Sequence, residues 1–511
     1  MPVSRRSFLA GSAAVLAGAS LARALPSGAA GVRAGGPLAQ LYGEIGVPRG
    51  RALGISAQGP AARTATWLTT GSGEVSSLVE WGVVPPGATS ADIRVGRYLT
   101  RISEGSSAMA PTGRFDEDTA TSTPVDGEHP VRVHRAELTG LPAGLDVCYR
   151  VGTLGAWSDV AVFRTGTDGA FRLAHVGDHG VTAASRRTTA AVAALAPDAL
   201  VLTGDISYAN GYQPTWDRWA GEAEPMTSVV PLLPVPGNHE AKDFYGETYR
   251  SRFTTPAGGT NWYAVDLGRA RLFAGTAGCF LTENDPVTAV DLVTDELLAM
   301  ERELALAAVR RAAGEIDFIV VAQHFPLYTN HDTRGPFSPQ LVVAQEHVLQ
   351  RYQVDLVLVG HDHMYQRSHP MAYGEATGTA AGYVQVCAGA GGNGLYEFAD
   401  PDGPDWGDWC AAYQREFSFA EYEIAHGSLR GVARGWADPE AKVVDENPNA
   451  VDPRLAHRVI DDFVLRRKDD ALVASAAAAL PRSAVEVLAG VPEARGVVVR
   501  NLAEDCTRHH H

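Results

Sequence analysis

The sequence predicts an α/β domain of mixed sheets flanked by helices, preceded by an all-β sandwich. Residues 36–166 hold short runs rich in β-branched and aromatic residues, which Gly and Pro turns separate. Residues 169–440 instead alternate apolar runs with helix-like segments, which is the pattern of an α/β sheet. Five of those apolar runs end in polar side chains, and such side chains gather at the carboxyl edge of a sheet.

The first 30 residues have the features of a removable export signal. The basic segment Ser4-Arg5-Arg6-Ser7 precedes a weakly apolar stretch to Ala24, with small residues suited to cleavage there and at Ala29-Ala30. Paired arginines are typical of the twin-arginine type. A membrane anchor needs about 20 strongly apolar residues, and this stretch holds too much Ala, Gly and Ser. We expect export to a secreted, periplasmic or cell-surface location, without stable membrane insertion.

Composition and charge favour a large globular protein. The chain has 511 residues, 45% of them apolar, which is enough for more than one domain. Its net charge of −16 is spread without long runs. Nucleic acid and anionic membrane surfaces are therefore not expected partners, because both require clustered Lys and Arg. An anionic substrate would need local positive charge, which metal ions can supply.

The five cysteines are too few and too scattered for a disulfide scaffold: they are Cys148, Cys279, Cys387, Cys410 and Cys506. An odd number leaves at least one unpaired within the chain. Proximity favours Cys387 with Cys410 if any pair forms, and buried free thiols fit the pattern at least as well. A thiolate metal site is not expected, because the sequence has no CxxC motif.

The predicted sandwich strands are short and aromatic or β-branched: Thr64–Thr70, Ser77–Trp81, Val131–Leu138 and Val147–Val151. The segment 138–144, followed by Cys148–Gly152, resembles the E–F corner of fibronectin type III domains. Val147 stands about where those domains have a corner tyrosine. The polar stretch Thr112–Glu128 is predicted to be a loop. This region holds no catalytic constellation, so we expect a scaffold or interaction role.

Three helices are predicted between the apolar runs. One covers Ala183–Ala196 and stops before Pro197, and another covers Thr294–Ala313 with an apolar face. Ser338-Pro339 offers an N-cap and an N1 proline for a third, ending near residue 352. In a C-terminal extension, 441–511, we predict a last strand at 459–465 and Ala-rich helical segments from 471 to 480 and from 483 to 488.

Five predicted strand ends carry side chains that can bind metal ions. The motifs are Gly177-Asp178-His179-Gly180, Gly204-Asp205 with Tyr208, Gly237-Asn238-His239-Glu240, Gln323-His324 and Gly360-His361-Asp362-His363. One such motif is weak, because Gly-Asp and Gly-His pairs are common where strands end. All of them together indicate a metal site. The candidate ligands are Asp178, Asp205, Tyr208, Asn238, His324, His361 and His363.

The donor types indicate which metals and which chemistry to expect. Asp, Asn, His and Tyr offer hard-to-borderline O and N donors, which suit Fe, Mn or Zn. Two cations about 3.5–4 Å apart can activate a hydroxide and neutralise the oxygens of a phosphoryl group. Asp205 is the candidate bridge between them. The structural alternatives are an Asx turn at Asp205 and hydrogen-bonded loop histidines at His361 and His363.

The ordered set of five motifs resembles that of purple acid phosphatases, within the calcineurin-like metallophosphoesterase superfamily. The flanks are similar too, at Ala209–Pro214 with Trp216 and Trp219, and at Tyr365–Arg367. A fibronectin-like domain ahead of the catalytic one is also that family's arrangement. The resemblance covers roughly 36–440 and implies an α/β metallophosphoesterase sandwich behind a fibronectin type III-like domain.

The resemblance implies a role for each candidate ligand. Asp178, Tyr208 and His363 would hold Fe(III), and Asn238, His324 and His361 would hold a divalent Fe, Zn or Mn, with Asp205 bridging. Most relatives in the superfamily have a ligand His where Gly180 stands, and Tyr208 would replace it. His179 is expected to face away from the metals, with a ligand swap as the open alternative.

The function implied is an exported phosphatase that hydrolyses small phosphomonoesters at acidic pH by attack of a metal-bound hydroxide. His239 would stabilise the phosphoryl group or protonate the leaving alkoxide, and His331 is the candidate for an assisting histidine. The alternatives are a phosphodiesterase or nucleotidase with the same centre, and a binding module whose metal site has decayed.

Two further segments are predicted to be loops. The glycine-rich Gly389–Gly394 is predicted to be a turn near the metal edge, which is the edge where the candidate ligands lie, and Asp400–Asp408 is predicted to be a solvated loop.

Overall fold

The computed structural model describes residues 46–478 with internal gaps. The gaps are residues 60, 72, 74, 117–120, 125–128, 167–168, 244–245, 257–260, 278–285, 339–340, 373–374, 377–380 and 437–456. The predicted export signal, Cys279, Cys506 and the helical segment predicted at 483–488 lie outside the described residues. Within them, no helix combines the length and the apolar character needed to cross a bilayer.

The N-terminal region folds as two facing β-sheets with one short helix. One sheet contains β1, β2, β5 and β8, and the other contains β3, β4, β9, β10 and β11. The elements are β1 Arg49–Ile55, β2 Ala62–Thr70, β3 Leu78–Val83, α1 Ser90–Arg94, β4 Arg101–Glu104, β5 Ser106–Met109, β6 Gly113–Asp116, β7 Thr121–Pro124, β8 Val131–Thr139, β9 Asp146–Thr153, β10 Ala156–Trp157 and β11 Ala161–Arg164.

A buried apolar core lies between these two sheets. Trp67 from the first sheet and Val79, Trp81 and Tyr149 from the second share it. The four strands predicted from the sequence are therefore confirmed. The prediction of a loop at 112–128 is wrong, because β6 and β7 pair there as a small hairpin. The fibronectin type III subtype stays a prediction.

The rest of the chain alternates strands and helices. Its elements are β12 Phe171–Val176, α2 Ala183–Leu195, β13 Ala199–Thr203, α3 Gln213–Thr227, β14 Leu232–Val235, α4 Asn238–Ala241, α5 Glu247–Arg252, β15 Tyr263–Leu267, β16 Ala270–Ala274, α6 Pro286–Ala312, β17 Phe318–Ala322, a π-helical turn Val342–Glu346, α7 His347–Arg351, β18 Leu356–Val359, β19 Tyr365–Ser368, β20 Met371–Ala372, β21 Glu375–Ala376, β22 Val384–Ala388, β23 Cys410–Gln414, β24 Phe417–Ala425, β25 Ser428–Trp436, β26 Arg458–Arg466 and α8 Asp470–Ala478.

The five strands that precede the motifs belong to two sheets. Strands β12, β13 and β14 run parallel in a ten-stranded sheet, whereas β17 and β18 run parallel in a seven-stranded one. The sheets face each other across an apolar core in which Val201 and Leu233 meet Val320 and Leu356. Helices α2 and α3 cover the first sheet, and α6 and α7 cover the second. The result is a four-layer α/β/β/α sandwich.

Local signals explain where the helices begin and end. Thr182 and Ser185 form a capping box at the start of α2, and Ala196 ends it in the left-handed conformation before Pro197. Helix α6 extends beyond its predicted start, and it buries Leu297, Met300 and other apolar side chains against the second sheet. The third predicted helix is present as the π-helical turn that continues into α7.

The sandwich and the α/β region share one continuous sheet. Strand β1 pairs in parallel with β14, and Arg51 Nε donates to Glu224 Oε1 over 2.5 Å. The buried Tyr149 hydroxyl donates to the Ser228 carbonyl over 2.7 Å. At the other edge, β26 pairs with β25, and Lys468 Nζ donates to the Val354 carbonyl over 2.8 Å. The predicted domain limits stay predictions. Strand pairing crosses the limit between 166 and 169 and the limit between 440 and 441.

Cys148, Cys387 and Cys410 are free thiols. The pairing of Cys387 with Cys410 that proximity favoured is therefore not formed, and the alternative of free thiols holds for these three residues.

Candidate metal centre

The seven predicted ligands meet where the carboxyl ends of the two sheets adjoin, and they form two clusters. The first cluster contains Asp178, Tyr208 and His363. The Tyr208 hydroxyl lies 3.0 Å from Asp178 Oδ1 and 2.8 Å from His363 Nε2, and that Nε2 lies 3.3 Å from Asp178 Oδ1. Three donor atoms therefore converge on one point.

The second cluster is centred on His324. Its Nε2 lies 3.0 Å from Asn238 Oδ1, 3.2 Å from His361 Nδ1 and 3.4 Å from Asp205 Oδ2. The two clusters touch, because Asp178 Oδ2 accepts the backbone N–H of His361 over 2.7 Å. The distances thus place Asp205 with the second cluster, and the assignment of ligands to two metal ions with Asp205 bridging stays a prediction.

The backbone at this edge is unusual. Asp178, Asp205, Tyr208 and His361 have φ values of 55°, 50°, 57° and 70°, the left-handed region that residues other than glycine seldom adopt. Such conformations cost of order 1–3 kcal/mol each and collect at functional sites. Gly237 allows the close packing, since a Cβ there would lie 2.2 Å from Asp205 Oδ1.

Hydrogen bonds to backbone carbonyls fix the tautomers of two histidines. The Nδ1 of His324 lies 2.7 Å from the Thr203 carbonyl, and the Nδ1 of His363 lies 2.5 Å from the Gly394 carbonyl. A carbonyl only accepts, so each Nδ1 carries a proton and donates it. The Nε2 atoms that face the two clusters are therefore lone-pair donors in the neutral rings.

The donor sets require positive charge between them. In the neutral ring, the unprotonated Nε2 of His324 faces Asn238 Oδ1 and Asp205 Oδ2. Three hydrogen-bond acceptors then meet with no hydrogen between them. A second proton on the ring or a cation resolves both contacts, whereas turning the Asn238 amide would resolve only the contact with Asn238. Asn238 Nδ2 is also buried without a hydrogen-bond partner among the described residues, because the amide turns its oxygen toward His324. Oxygen and nitrogen donors placed this way fit two cations.

The pKa shifts of the buried groups also indicate a need for positive charge at this site. Burial raises the pKa of the Asp178 carboxyl and raises that of the Tyr208 phenol well above its usual range, with the charges of Asp178 and Asp205 adding to the effect. Burial lowers the pKa of His324, but the Asp205 charge and hydrogen bond outweigh it and raise the value to about 9. The site is therefore rich in buried negative charge and short of positive charge.

Sequence reasoning missed Glu240 as part of the site. Its carboxylate accepts the backbone N–H groups of Asp205 over 2.8 Å, Ile206 over 2.9 Å and Gly237 over 2.8 Å. Burial, with the charge of Asp205, raises the pKa of Glu240 to about 7. The signal was available, because a Glu at N3 of a helix is the capping pattern. Glu240 holds two of the motif loops together.

The two predicted catalytic histidines are placed differently. His239 stacks at a tilt on Tyr208 with ring centroids 4.4 Å apart, and its Nε2 lies 3.8 Å from Asp205 Oδ2. Its Nδ1 lies 2.7 Å from Asn210 Oδ1, and burial lowers its pKa to about 3. His239 therefore borders the metal clusters as a neutral ring.

His331 lies one aromatic ring away from the clusters. Its ring centroid is 5.0 Å from that of Tyr396, which stacks on His363 at 3.9 Å. Its Nδ1 lies 3.0 Å from Asp332 Oδ1. The structure thus does not place His331 in direct contact with the seven ligands, and Tyr396, which sequence reasoning missed, stands between them.

Two smaller predictions concern the neighbourhood of the site. His179 faces away from the metals, as expected, and it is buried under α2 and α3, where its Nδ1 lies 3.0 Å from the Gly180 carbonyl and 3.2 Å from Trp219 Nε1. The glycine-rich segment lies at the metal edge, as predicted, since Gly391 N donates to the Gly177 carbonyl and Asn393 N to the Asp178 carbonyl.

Comparison with known proteins identifies this region. Residues 171–365 match the calcineurin-like phosphoesterase family. Purple acid phosphatase 15 of Arabidopsis thaliana is 27% identical over 60% of this chain and 66% of its own length. Human acid phosphatase type 7 is 27% identical over 61% of this chain and 76% of its own length. The chain thus spans about two thirds of the first of these relatives.

Solved structures share the fold. A purple acid phosphatase, PPD1, from yellow lupin seeds covers 84% of this chain and 76% of its own with a TM-score of 0.64 and 22% identity. A structure of PhoD covers 83% of this chain and 91% of its own with a TM-score of 0.54 and 12% identity. Residues 171–365 therefore form a domain that matches the calcineurin-like phosphoesterase family, and the relatives of the chain include purple acid phosphatases.

Proposed function

We propose that this protein is an exported binuclear-metal phosphatase that hydrolyses phosphomonoesters at acidic pH. The observation that carries the proposal is the pair of adjoining donor clusters around Asp178 and His324, each with ring nitrogens and oxygens turned inward. The names of the relatives, purple acid phosphatase and acid phosphatase, support the acidic range. The twin-arginine-type signal predicted for residues 1–30 supports export.

The ligand assignment follows the two clusters. Asp178, Tyr208 and His363 would hold Fe(III), because an anionic phenolate suits a hard trivalent cation. Asn238, His324 and His361 would hold the divalent Fe, Zn or Mn, and Asp205 would bridge the two ions. When bound, the two cations supply the charge that activates water and neutralises the oxygens of the phosphoryl group.

His239 is the residue we assign to proton handling. Its Nδ1–H donates to Asn210 Oδ1, which leaves Nε2 unprotonated at 3.8 Å from Asp205 Oδ2. A phosphomonoester that arrives as a monoanion carries one proton, which Nε2 can accept and then donate to the leaving alkoxide as the P–O bond breaks. Water supplies the oxygen that replaces the alcohol, so the products are an alcohol and phosphate. His331 would act only through Tyr396, as a positioning residue.

The test compares kcat/KM for phenyl phosphate with that for diphenyl phosphate on metal-loaded protein, from acidic to alkaline pH. A monoester preference with an acidic optimum supports the proposal. A diester preference or an alkaline optimum would overturn it in favour of the phosphodiesterase alternative with the same centre.

His239→Ala separates the role of this residue from that of the ligands. We expect kcat to fall about 10²-fold or more, while metal analysis still finds two ions per chain. Loss of metal together with rate would overturn the assignment of His239. His179→Ala is the matched control, since it removes a buried histidine that faces away from the site.

A further inference from the structure

Tyr396 stacks on one of the candidate metal ligands. Its ring centroid lies 3.9 Å from that of His363, and the two ring planes differ by only 8°. The backbone reinforces the contact, because the Tyr396 N–H donates to the His363 carbonyl over 3.1 Å. Tyr396 is partly exposed, so burial of an aromatic ring in the apolar core does not account for its position.

The stack adds a second constraint on the His363 ring. The Nδ1–H of His363 donates to the Gly394 carbonyl over 2.5 Å, which fixes one edge of the ring. A ring held by that bond alone can still tilt about it, whereas a parallel ring 3.9 Å away also fixes its plane. The Nε2 lone pair lies in this plane. The two contacts together therefore set the direction in which Nε2 faces the oxygens of Asp178 and Tyr208.

The glycine-rich segment that leads to Tyr396 is packed against the first motif. The Gly391 N–H donates to the Gly177 carbonyl over 3.1 Å, and a Cβ at Gly391 would lie 2.3 Å from that carbonyl oxygen, so only glycine permits this approach. Two residues later, the Asn393 N–H donates to the Asp178 carbonyl over 3.0 Å. The chain that carries Tyr396 is thus anchored at a second ligand of the same cluster.

Side chains from the loop after the fourth motif also contact Tyr396. The Arg334 guanidinium carbon lies 5.4 Å from the Tyr396 ring centroid, within the range of a cation–π contact. Arg334 also pairs with Asp362, whose side chain is fully buried. The His331 ring meets Tyr396 edge-on at 5.0 Å. Tyr396 therefore cannot move away from His363 without disturbing these contacts.

The second cluster is oriented by different groups. His324 donates its Nδ1–H to the Thr203 carbonyl over 2.7 Å. Its ring meets those of Phe325 and His361 edge-on, with centroids 5.2 Å and 5.0 Å away. A change at Tyr396 is therefore expected to act on the first cluster and to leave the second intact.

We propose that Tyr396 is a positioning residue that fixes the His363 ring, so that the site of Asp178, Tyr208 and His363 holds its metal ion more tightly than these three ligands alone would. The inference rests on the proposed function, because that function places an ion in the first cluster. Removal of a group that orients a metal ligand typically weakens metal affinity about 10- to 100-fold.

The experiment measures the two metal sites separately in wild type, Tyr396→Leu and Tyr396→Phe. Each metal-free protein is loaded with iron(III) and zinc, and a chelator is then titrated in. The charge-transfer absorption of a Tyr208 phenolate on iron(III) reports the first site, and zinc released to an indicator dye reports the second. We expect Tyr396→Leu to lose the absorption at about tenfold less chelator, with zinc release changed less than about twofold. Tyr396→Phe keeps the ring and should match wild type.

Tyr98→Leu is the matched control, because Tyr98 is a partly exposed tyrosine of the N-terminal region, and it should release both metals as wild type does. Tyr396→Met is a second variant without a ring, used in the same way should Tyr396→Leu fail to fold. Equal losses at both sites would mean that the change only disturbs the fold, and would overturn the inference. A loss in Tyr396→Phe as large as in Tyr396→Leu would also overturn it.

Metal binding is measured without catalysis, so the inference and the proposed function fail separately. Two bound ions with the same chelator response in wild type and Tyr396→Leu would overturn the inference and leave the proposed function standing. The expected loss of absorption, in a protein that hydrolyses no phosphate ester, would support the inference and overturn the proposed function. A wild type that binds no ion at the first site would overturn both.

Discussion

His134 in the sandwich and His324 at the metal edge are both fully buried, but their surroundings are opposite. His134 stacks on Trp67 and contacts two hydroxyls, Thr69 Oγ1 at 2.8 Å and Ser77 Oγ at 2.9 Å. A hydroxyl can donate or accept, so the neutral ring is satisfied at both nitrogens. His324 Nε2 instead faces the oxygens of Asn238 and Asp205, so the ring needs a second proton or a cation there.

The His134 ring stabilises the fold through hydrogen bonds within the chain, whereas the His324 ring needs a proton or a cation to satisfy its neighbours. Burial, with a contribution from Arg132, lowers the pKa of His134 to about 4, whereas the charge of Asp205 outweighs burial and raises that of His324 to about 9. His134 completes its hydrogen bonds from within the chain. The metal edge cannot do so, because its carboxylates and lone pairs outnumber its cations.

The largest expected effect comes from Asp205→Asn. This change removes the carboxylate that lies beside His324 and is proposed to bridge the two ions, but it keeps an oxygen that can accept the backbone N–H of His239. We expect kcat/KM to fall about 10³-fold or more and metal content to drop below two ions per chain, with little change in the Tm of the metal-free protein. Full activity with two ions bound would show that Asp205 is not the bridge.

The next effect is the loss of stability that we expect when the metal ions are removed. Because ligands bind only the folded chain, ions at a thousand times their Kd add about 4 kcal/mol to the free energy of unfolding. We expect a chelator to lower the Tm, and added metal to restore it. Asp205→Asn should respond less to the same treatment. A Tm that is identical with and without chelator would contradict the cation deficit inferred for this edge.

His134→Ala tests the other half of the comparison. It leaves two buried hydroxyls without partners and opens a space beside Trp67, so the free energy of unfolding should fall by about 3 kcal/mol. Because the sandwich holds no predicted ligand, kcat/KM per folded molecule should stay within twofold of wild type. Denaturant unfolding and steady-state kinetics measure the two quantities. A large loss of kcat/KM would show that the sandwich acts on the site.

The smallest expected effect is the pH dependence that His134 confers. Its pKa is about 4 in the folded chain and about 6.5 when unfolded. Between these values the unfolded chain binds a proton that the folded chain does not, so stability is fully present above pH 6.5 and is lost as the pH falls toward 4. We expect a loss of about 2 kcal/mol, after allowing for solvent screening.

His134→Gln keeps hydrogen-bonding groups but does not titrate, so it is the reference for this measurement. Urea unfolding of wild type and variant at pH 7 and pH 4.5 should show the two stabilities converging at the lower pH. Parallel pH dependence in both proteins would mean that His134 does not titrate as the structure implies.

Much of the fold could be predicted because its signals are local. The apolar runs before Asp178 and Asp205 are the strands β12 and β13, and Thr182 with Pro197 bounds α2. The hairpin of β6 and β7 was missed because its polar residues give no alternating apolar pattern. Tyr396 was missed for another reason, since it contacts His331 and His363, which lie far away in the sequence, whereas Glu240 carried a local capping signal that was not used.

The types of donor, their order and their positions at strand ends can be read from the sequence, because each depends on a few neighbouring residues. The folded structure was needed to see that β12 to β14 and β17 to β18 lie in two sheets whose edges meet, which brings His324 and His361 to Asp205. It also decided that His239 borders the clusters while His179 is buried under α2 and α3. Sheet pairing depends on contacts between residues far apart in the sequence, and no local sequence pattern predicts those contacts.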